Sequence, residues 1–247
     1  MTDASMSAQQ KTGSSGYAST ADFEAAPALH PKHIEYLAKR GVQYETAAHM
    51  KVHTAQDNRG NWLVFPYRLD GKVVNRKYRM TAEKQHRMDQ GGTLCLWNAD
   101  CLRSPLVKEG ASVIITEGEF DALIAMECGH TLATSVPNGA PAEAIDDPVN
   151  SNRYKFLWET EKELEGVQHF ILATDGDGPG RILAHDLAAI LGAERCSFLE
   201  YPEGCKDLNG VYDLHGYEGV TRTIKAAKPF PVQGLHDFFD FPDMPPV

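Results

Sequence analysis

Two aspartates one residue apart, Asp175 and Asp177, follow the apolar run FILAT in the stretch FILATDGDGPGRILAHDLAAILG, interleaved with Gly176, Gly178 and Gly180. Another acid, Glu117, closes the apolar run SVIIT, and the pair Lys206–Asp207 follows a third such run in CKDLNG. Carboxylates placed this close repel and raise one another's pKa unless a cation neutralises them. Residues i and i+2 of an extended segment point to the same side, so Asp175 and Asp177 can converge on one ion. Hard oxygen donors with room for water suit Mg²⁺. Asp and Gly also dominate ordinary turns, and DGDG alone reads equally as turn chemistry. It is shorter than an EF-hand loop and lacks that loop's twelfth-position Glu. Acids delivered to the ends of three separate apolar runs favour the cation.

The elements that must hold these residues alternate from Ala111 onward. SVIITEG reads as a short buried strand, and EFDALIAMECG as a helix with Phe120, Leu123, Ile124 and Cys128 on one face. TLATSVPNGAP reads as a strand ending in a turn, and YKFLWETEKELEG as a helix with a charged outer face. VQHFILAT is a buried strand, RILAHDLAAILG a helix capped by Gly192, and RCSFLEYP a further strand. This order implies a parallel sheet with helices on its faces. In such a sheet the crevice at the carboxyl ends of the strands is where ligands bind, and Glu117, Asp175 and Asp177 fall there.

Upstream, HPKHIEYLAKRGVQYETAAHM predicts a helix with Ile34, Leu37 and Ala38 on one face, ended by Gly41, then a short helix around Tyr44–His49. NWLVFPYRLDGKVVNRKYRM predicts two strands flanking Asp70-Gly71, a strong hairpin signal. Residues 81–100 carry repeated turn residues and read as irregular. Trp62 and Trp97 read as core residues, with Tyr78 as a candidate for stacking on bases. The expected organisation is a disordered tail over 1–28, a basic N-terminal unit over 29–108, an α/β unit over 109–228, and a linker or tail over 229–247.

Charge is segregated. The formal net charge is −10, yet residues 68–87 hold seven Lys or Arg against two acids. A basic stripe beside an acidic, metal-loaded site is compatible with nucleic acid. Five cysteines at irregular spacing with no CxxC pair argue against a disulfide framework and a structural zinc site, and for reduced thiols in a cytosolic protein. No run of about 18 apolar residues exists for a membrane span. The first residues lack the apolar core of a signal peptide.

The segments IITEGEFDALIA, SVPNGAP, ILATDGDGPG and CKDLNG, in this order, resemble a TOPRIM domain. The wording is similar to primase–helicases of phage type, including Twinkle, and RKYRMTAEKQHRMDQGGTLCLWNAD resembles the basic N-terminal subdomain of the same primase core. The resemblance covers roughly residues 30–230. It implies an α/β fold of TOPRIM type, a Rossmann-like, mainly parallel sheet flanked by helices, preceded by a small α+β basic subdomain. It implies Glu117, Asp175, Asp177 and Asp207 as ligands of a two-metal Mg²⁺ site, with Mn²⁺ as substitute, and Glu117 and Lys206 as catalytic residues. Arg76, Lys77, Arg79, Lys84 and Arg87 are the matching candidates for holding nucleotide phosphates and template.

The implied activity is a DNA primase: metal-dependent synthesis of short primers from nucleoside triphosphates on single-stranded DNA. The implied partner is a replicative helicase domain or protein, and the expected setting is the cytoplasm of a bacterial or phage-infected cell, at the nucleoid. The sequence departs from phage-type primases in having no zinc-binding module before the core and no G-x-x-x-x-G-K-[ST] loop after it, which suggests a fragment or an isolated primase-like domain. Two other functions fit the same residues. One is a non-catalytic module that binds single-stranded DNA and loads a helicase. The other is a TOPRIM nuclease, which would not need the basic stretch.

Overall fold

The computed structural model describes residues 28–83 and 85–231. The described residues open with helices α1 (Pro31–Lys39) and α2 (Tyr44–His49). Pro31 opens α1, where a missing N–H costs nothing, and the His30 ring accepts the Lys32 N–H. An antiparallel sheet follows: β1 (His53–Asp57), β2 (Gly60–Leu69), β3 (Lys72–Arg79) and β4 (His86–Met88), in that spatial order. The β2–β3 turn is the predicted Asp70-Gly71 pair. Both residues have positive φ (54° and 72°), and Leu69 faces Lys72 across them. That is the two-residue hairpin whose twist matches its strands.

The region expected to be irregular contains β4, paired with β3, and a connection sewn to the second sheet. Trp97 donates its N–H to the Ser135 carbonyl (2.9 Å), and its own carbonyl accepts from the Thr134 hydroxyl (2.6 Å). A 3-10 stretch at Ala99–Arg103 and the one-turn helix α3 (Pro105–Lys108) lead into the second unit.

There β5 (Val113–Thr116), α4 (Glu119–Glu127), β6 (Ala133–Ser135), α5 (Glu161–Glu165), β7 (Phe170–Ala173), α6 (Gly178–Leu191), β8 (Cys196–Phe198), α7 (Leu208–Lys225) and β9 (Lys228–Pro229) follow one another. The spatial order is β6-β5-β7-β8-β9. All pairs are parallel except β9, which runs antiparallel along β8. β5 and β7 lie inside the sheet and are buried along their whole length, which is why both are continuous apolar runs.

Two expectations are corrected, and one helix is added. The predicted helix at 154–166 is a 3-10 segment over Asn152–Thr160 followed by the short α5. The segment after CKDLNG forms the long helix α7, kinked at Gly216, which no apolar stripe announced. The predicted tail starts later than Pro229: β9 adds an edge strand, and buried Phe230 packs edge-on against Phe198 and His185. Trp62 and Trp97 are buried, as expected. One apolar cluster contains Phe65 and Tyr67 of β2 together with Phe120 and Leu123 of α4, so the two sheets share a core. Among the described residues no helix is long and apolar enough to cross a membrane.

Candidate functional site

Glu117 follows β5 directly, and Asp175 lies two residues beyond β7, so adjacent parallel strands deliver both to one edge. Glu117 is held from two sides. Its Oε1 accepts the Ala140 N–H (3.2 Å) and its Oε2 the Asp175 N–H (3.4 Å). Burial and the Asp175 carboxylate push the Glu117 pKa up, against the pull of those two N–H groups. Burial pushes Asp175 up as well, opposed by Lys206.

Asp177 and Asp207 are placed by a different device. Each is the N-cap of a helix: Asp177 Oδ1 accepts the Gly180 N–H at the start of α6 (3.0 Å), and Asp207 Oδ1 the Gly210 N–H at the start of α7 (2.6 Å). The cap satisfies one orphan donor and leaves the second carboxylate oxygen for another partner. Lys206 and Asp207 are not at a strand end, since they lie well past β8. The loop carrying them returns to the edge because the Gly176 N–H donates to the Lys206 carbonyl (2.6 Å). Lys206 Nζ then sits 2.9 Å from Asp175 Oδ2 and 3.8 Å from Asp177 Oδ2. That contact raises the Lys206 pKa above its usual range.

The glycines differ in what they do. A Cβ at Gly180 would lie 2.0 Å from the Asp175 carbonyl oxygen, so α6 can start this close to the acid loop only with glycine there. A Cβ at Gly176 would press on the Tyr201 ring at 3.1 Å, whereas Gly178 has open space.

Two residues join the site that the sequence reading did not nominate. Asp121, on the first turn of α4, accepts the Asn209 N–H (3.0 Å). Burial and the nearby Asp207 push its pKa up to about 7. A lone acid inside the apolar run FDALIAM was the available signal. Arg40, ending α1, lies over the Phe120 ring at 4.3 Å, and Arg79 lies over the same ring at 5.3 Å. Arg40 also exerts a weak pull on Asp121.

The other basic candidates are engaged locally. Arg76 pairs with Asp89 (2.9 Å). Lys77 donates to Glu119 (2.8 Å) and to the Pro137 carbonyl (3.0 Å), and the Tyr67 hydroxyl donates to the same carboxylate. Arg87 stacks 3.9 Å over Tyr78 and 5.0 Å from the Trp62 ring centre, with Asp57 at 3.6 Å. Lys84 lies outside the described residues.

The donor chemistry of Glu117, Asp175, Asp177 and Asp207 fits a hard divalent cation: carboxylate oxygens only, two of them with raised proton affinity from crowding and burial. Their spacing is looser than a coordination sphere. Among the described residues no group of three or more His, Cys, Asp or Glu side chains is gathered closely enough to hold a metal ion.

Residues 111–200 match the Toprim domain. The chain is 33% identical over 218 residues to the Twinkle homolog protein, chloroplastic/mitochondrial, of Arabidopsis thaliana, covering 85% of this chain and 30% of that protein. It is 30% identical over 208 residues to the Primase homolog protein of the same plant, covering 81% of this chain and 60% of that one. The primase fragment of the bacteriophage T7 primase-helicase superposes with a TM-score of 0.62 at 21% identity, covering 84% of this chain and 83% of the fragment. The chain thus carries a Toprim domain, set in the fold of a primase core. It spans 30% and 60% of the lengths of the two plant relatives.

Proposed function

We propose that this chain is the catalytic core of a DNA primase, joining nucleotides into short primers on a single-stranded DNA template. The observation that carries the reading is the edge shared by Glu117, Asp175, Asp177 and Asp207, beside a basic sheet, the first three acids lying within the residues that match the Toprim domain. These four acids would hold Mg²⁺, or Mn²⁺ in its place. The cations would lower the pKa of the primer 3′-hydroxyl and neutralise charge on the phosphoryl oxygens. Glu117, held on both oxygens and with raised proton affinity, would serve either as a further ligand or as the base that accepts the hydroxyl proton. Lys206, exposed and already beside the acids, can move to a phosphate of the incoming nucleoside triphosphate. Arg40 and Arg79 both lie over the Phe120 ring, one residue from Asp121, and would meet phosphates of nucleotide or template. A replicative helicase is the expected partner, in the compartment where replication forks work.

Lys206 alone offsets part of the Asp175–Asp177 charge, and this favours a second reading: a non-catalytic module that binds single-stranded DNA beside a helicase. Primer synthesis separates the two. The intact chain and Asp175→Ala are incubated with mixed single-stranded templates, labelled nucleotides and Mg²⁺ or Mn²⁺. Short metal-dependent products lost in the variant support the primase. Salt-sensitive strand binding by both, with no product from either, supports the module. Shortened templates would instead mean nuclease activity.

A further inference from the structure

The segment from Val136 to Ala140 runs against Glu117 and is pinned at successive points. The Val136 N–H donates to the Thr116 carbonyl at the end of β5 (3.1 Å). The Pro137 carbonyl accepts from Lys77 (3.0 Å), the Gly139 carbonyl from Arg153 (2.9 Å), and the Ala140 N–H reaches Glu117 (3.2 Å). Gly139 has a φ of 63°, and a Cβ there would lie 3.6 Å from Glu117 Oε1, so this backbone lies directly on the carboxylate.

We infer that Arg153 is a positioning residue for Glu117, acting through the 136–140 segment. Its Nη2 fixes the Gly139 carbonyl, and the next residue's N–H is the donor that fixes Glu117 Oε1. The lever is itself anchored. Ser151 Oγ accepts the Arg153 N–H (3.3 Å), and the neighbouring Tyr154 hydroxyl donates to buried Asp186 of α6 (2.5 Å). The 3-10 stretch that carries Arg153 therefore ties the backbone around Glu117 to the helix capped by Asp177. A residue that orients a ligand through one intervening group is a recurring feature of metal sites.

The role in metal binding rests on the metal reading above; the brace does not. The test compares the full chain with Arg153→Ala, Arg153→Lys and Glu117→Gln in two measurements. The first is hydrogen exchange at the Ala140 amide without metal. Arg153→Ala should speed it at least about fivefold by freeing the Gly139 carbonyl, and Arg153→Lys, which can still donate, should restore protection. The second is Mn²⁺ binding followed by loss of the free-ion paramagnetic resonance signal. Arg153→Ala should weaken it about tenfold, and Arg153→Lys much less. Unchanged Ala140 exchange in Arg153→Ala overturns the inference, and so does faster exchange with unaltered Mn²⁺ affinity when Glu117→Gln does weaken Mn²⁺ binding. If Glu117→Gln binds Mn²⁺ like the intact chain, the metal reading fails instead, and the exchange result still decides the brace.

Discussion

The acid edge and the basic sheet meet where Lys77 of β3 reaches Glu119 and the Pro137 carbonyl, and they handle charge in opposite ways. On the sheet, Arg76, Lys77 and Arg87 already have carboxylate or aromatic partners. At the edge, Glu117, Asp175 and Asp121 are crowded and partly desolvated, with Lys206 beside Asp175 and Arg40 pulling weakly on Asp121. Satisfied cations hold a surface in shape. Crowded acids store an unmet demand for positive charge, and perturbed titration of that kind marks functional sites.

The largest expected effect lies at the edge. Asp175→Ala should lower metal-dependent primer synthesis by about 10³-fold, as loss of a transition-state charge stabiliser does, while circular dichroism shows an unchanged fold. Next comes the cation of the sheet that is paired with a buried carboxylate. Lys77→Met leaves Glu119, with 4% of its side chain exposed, without its ammonium, and should cost about 3 kcal/mol in urea unfolding. Lys77→Met/Glu119→Gln should recover part of that loss. Full activity in the double variant would show that Lys77 serves structure rather than substrate.

A smaller effect is expected from Asp121. Its folded pKa of about 7 lies above the ordinary carboxylate range, so the folded chain retains a proton that the unfolded chain sheds. Stability contributed by this group is therefore complete below about pH 4 and is lost as pH rises to about 7. Urea midpoints of metal-free protein should fall over that window by the equivalent of about 1–3 kcal/mol, the partial exposure of the residue holding the figure down. Asp121→Asn should flatten the slope. The smallest effect belongs to Arg76→Ala, which removes a half-exposed pair and should shift stability by less than about 1 kcal/mol. A large loss there would erase the contrast between the two regions.

The inner strands of the second sheet were legible because β5 and β7 are buried on both faces and read as unbroken apolar runs. Glu117, Asp175 and Asp177 were legible because acids at the ends of such runs need a reason. Helix α7 was not. Gly210, Gly216 and Gly219 interrupt it, and its hold on the fold is tertiary: Tyr217 donates to the Gly41 carbonyl (2.8 Å) and stacks near Tyr212. The basic stretch showed its charge but not its engagements, because Asp57, Asp89 and Glu119 come to it from other strands and from α4. Asp121 and Arg40 were hidden in an apolar helix and a helix terminus, and only packing brings them to the edge.

The double duty of Asp177 and Asp207 reaches beyond this molecule. Each spends Oδ1 on starting a helix. An alanine scan at these positions would therefore remove a cap worth about 1 kcal/mol along with any catalytic role, and would confuse a loosened scaffold with lost chemistry. Serine or asparagine keeps the cap and discards the charge. Across descendants of this fold, Ser, Thr or Asn at 177 and 207 would be the fossil of a lineage that kept its architecture and gave up its reaction.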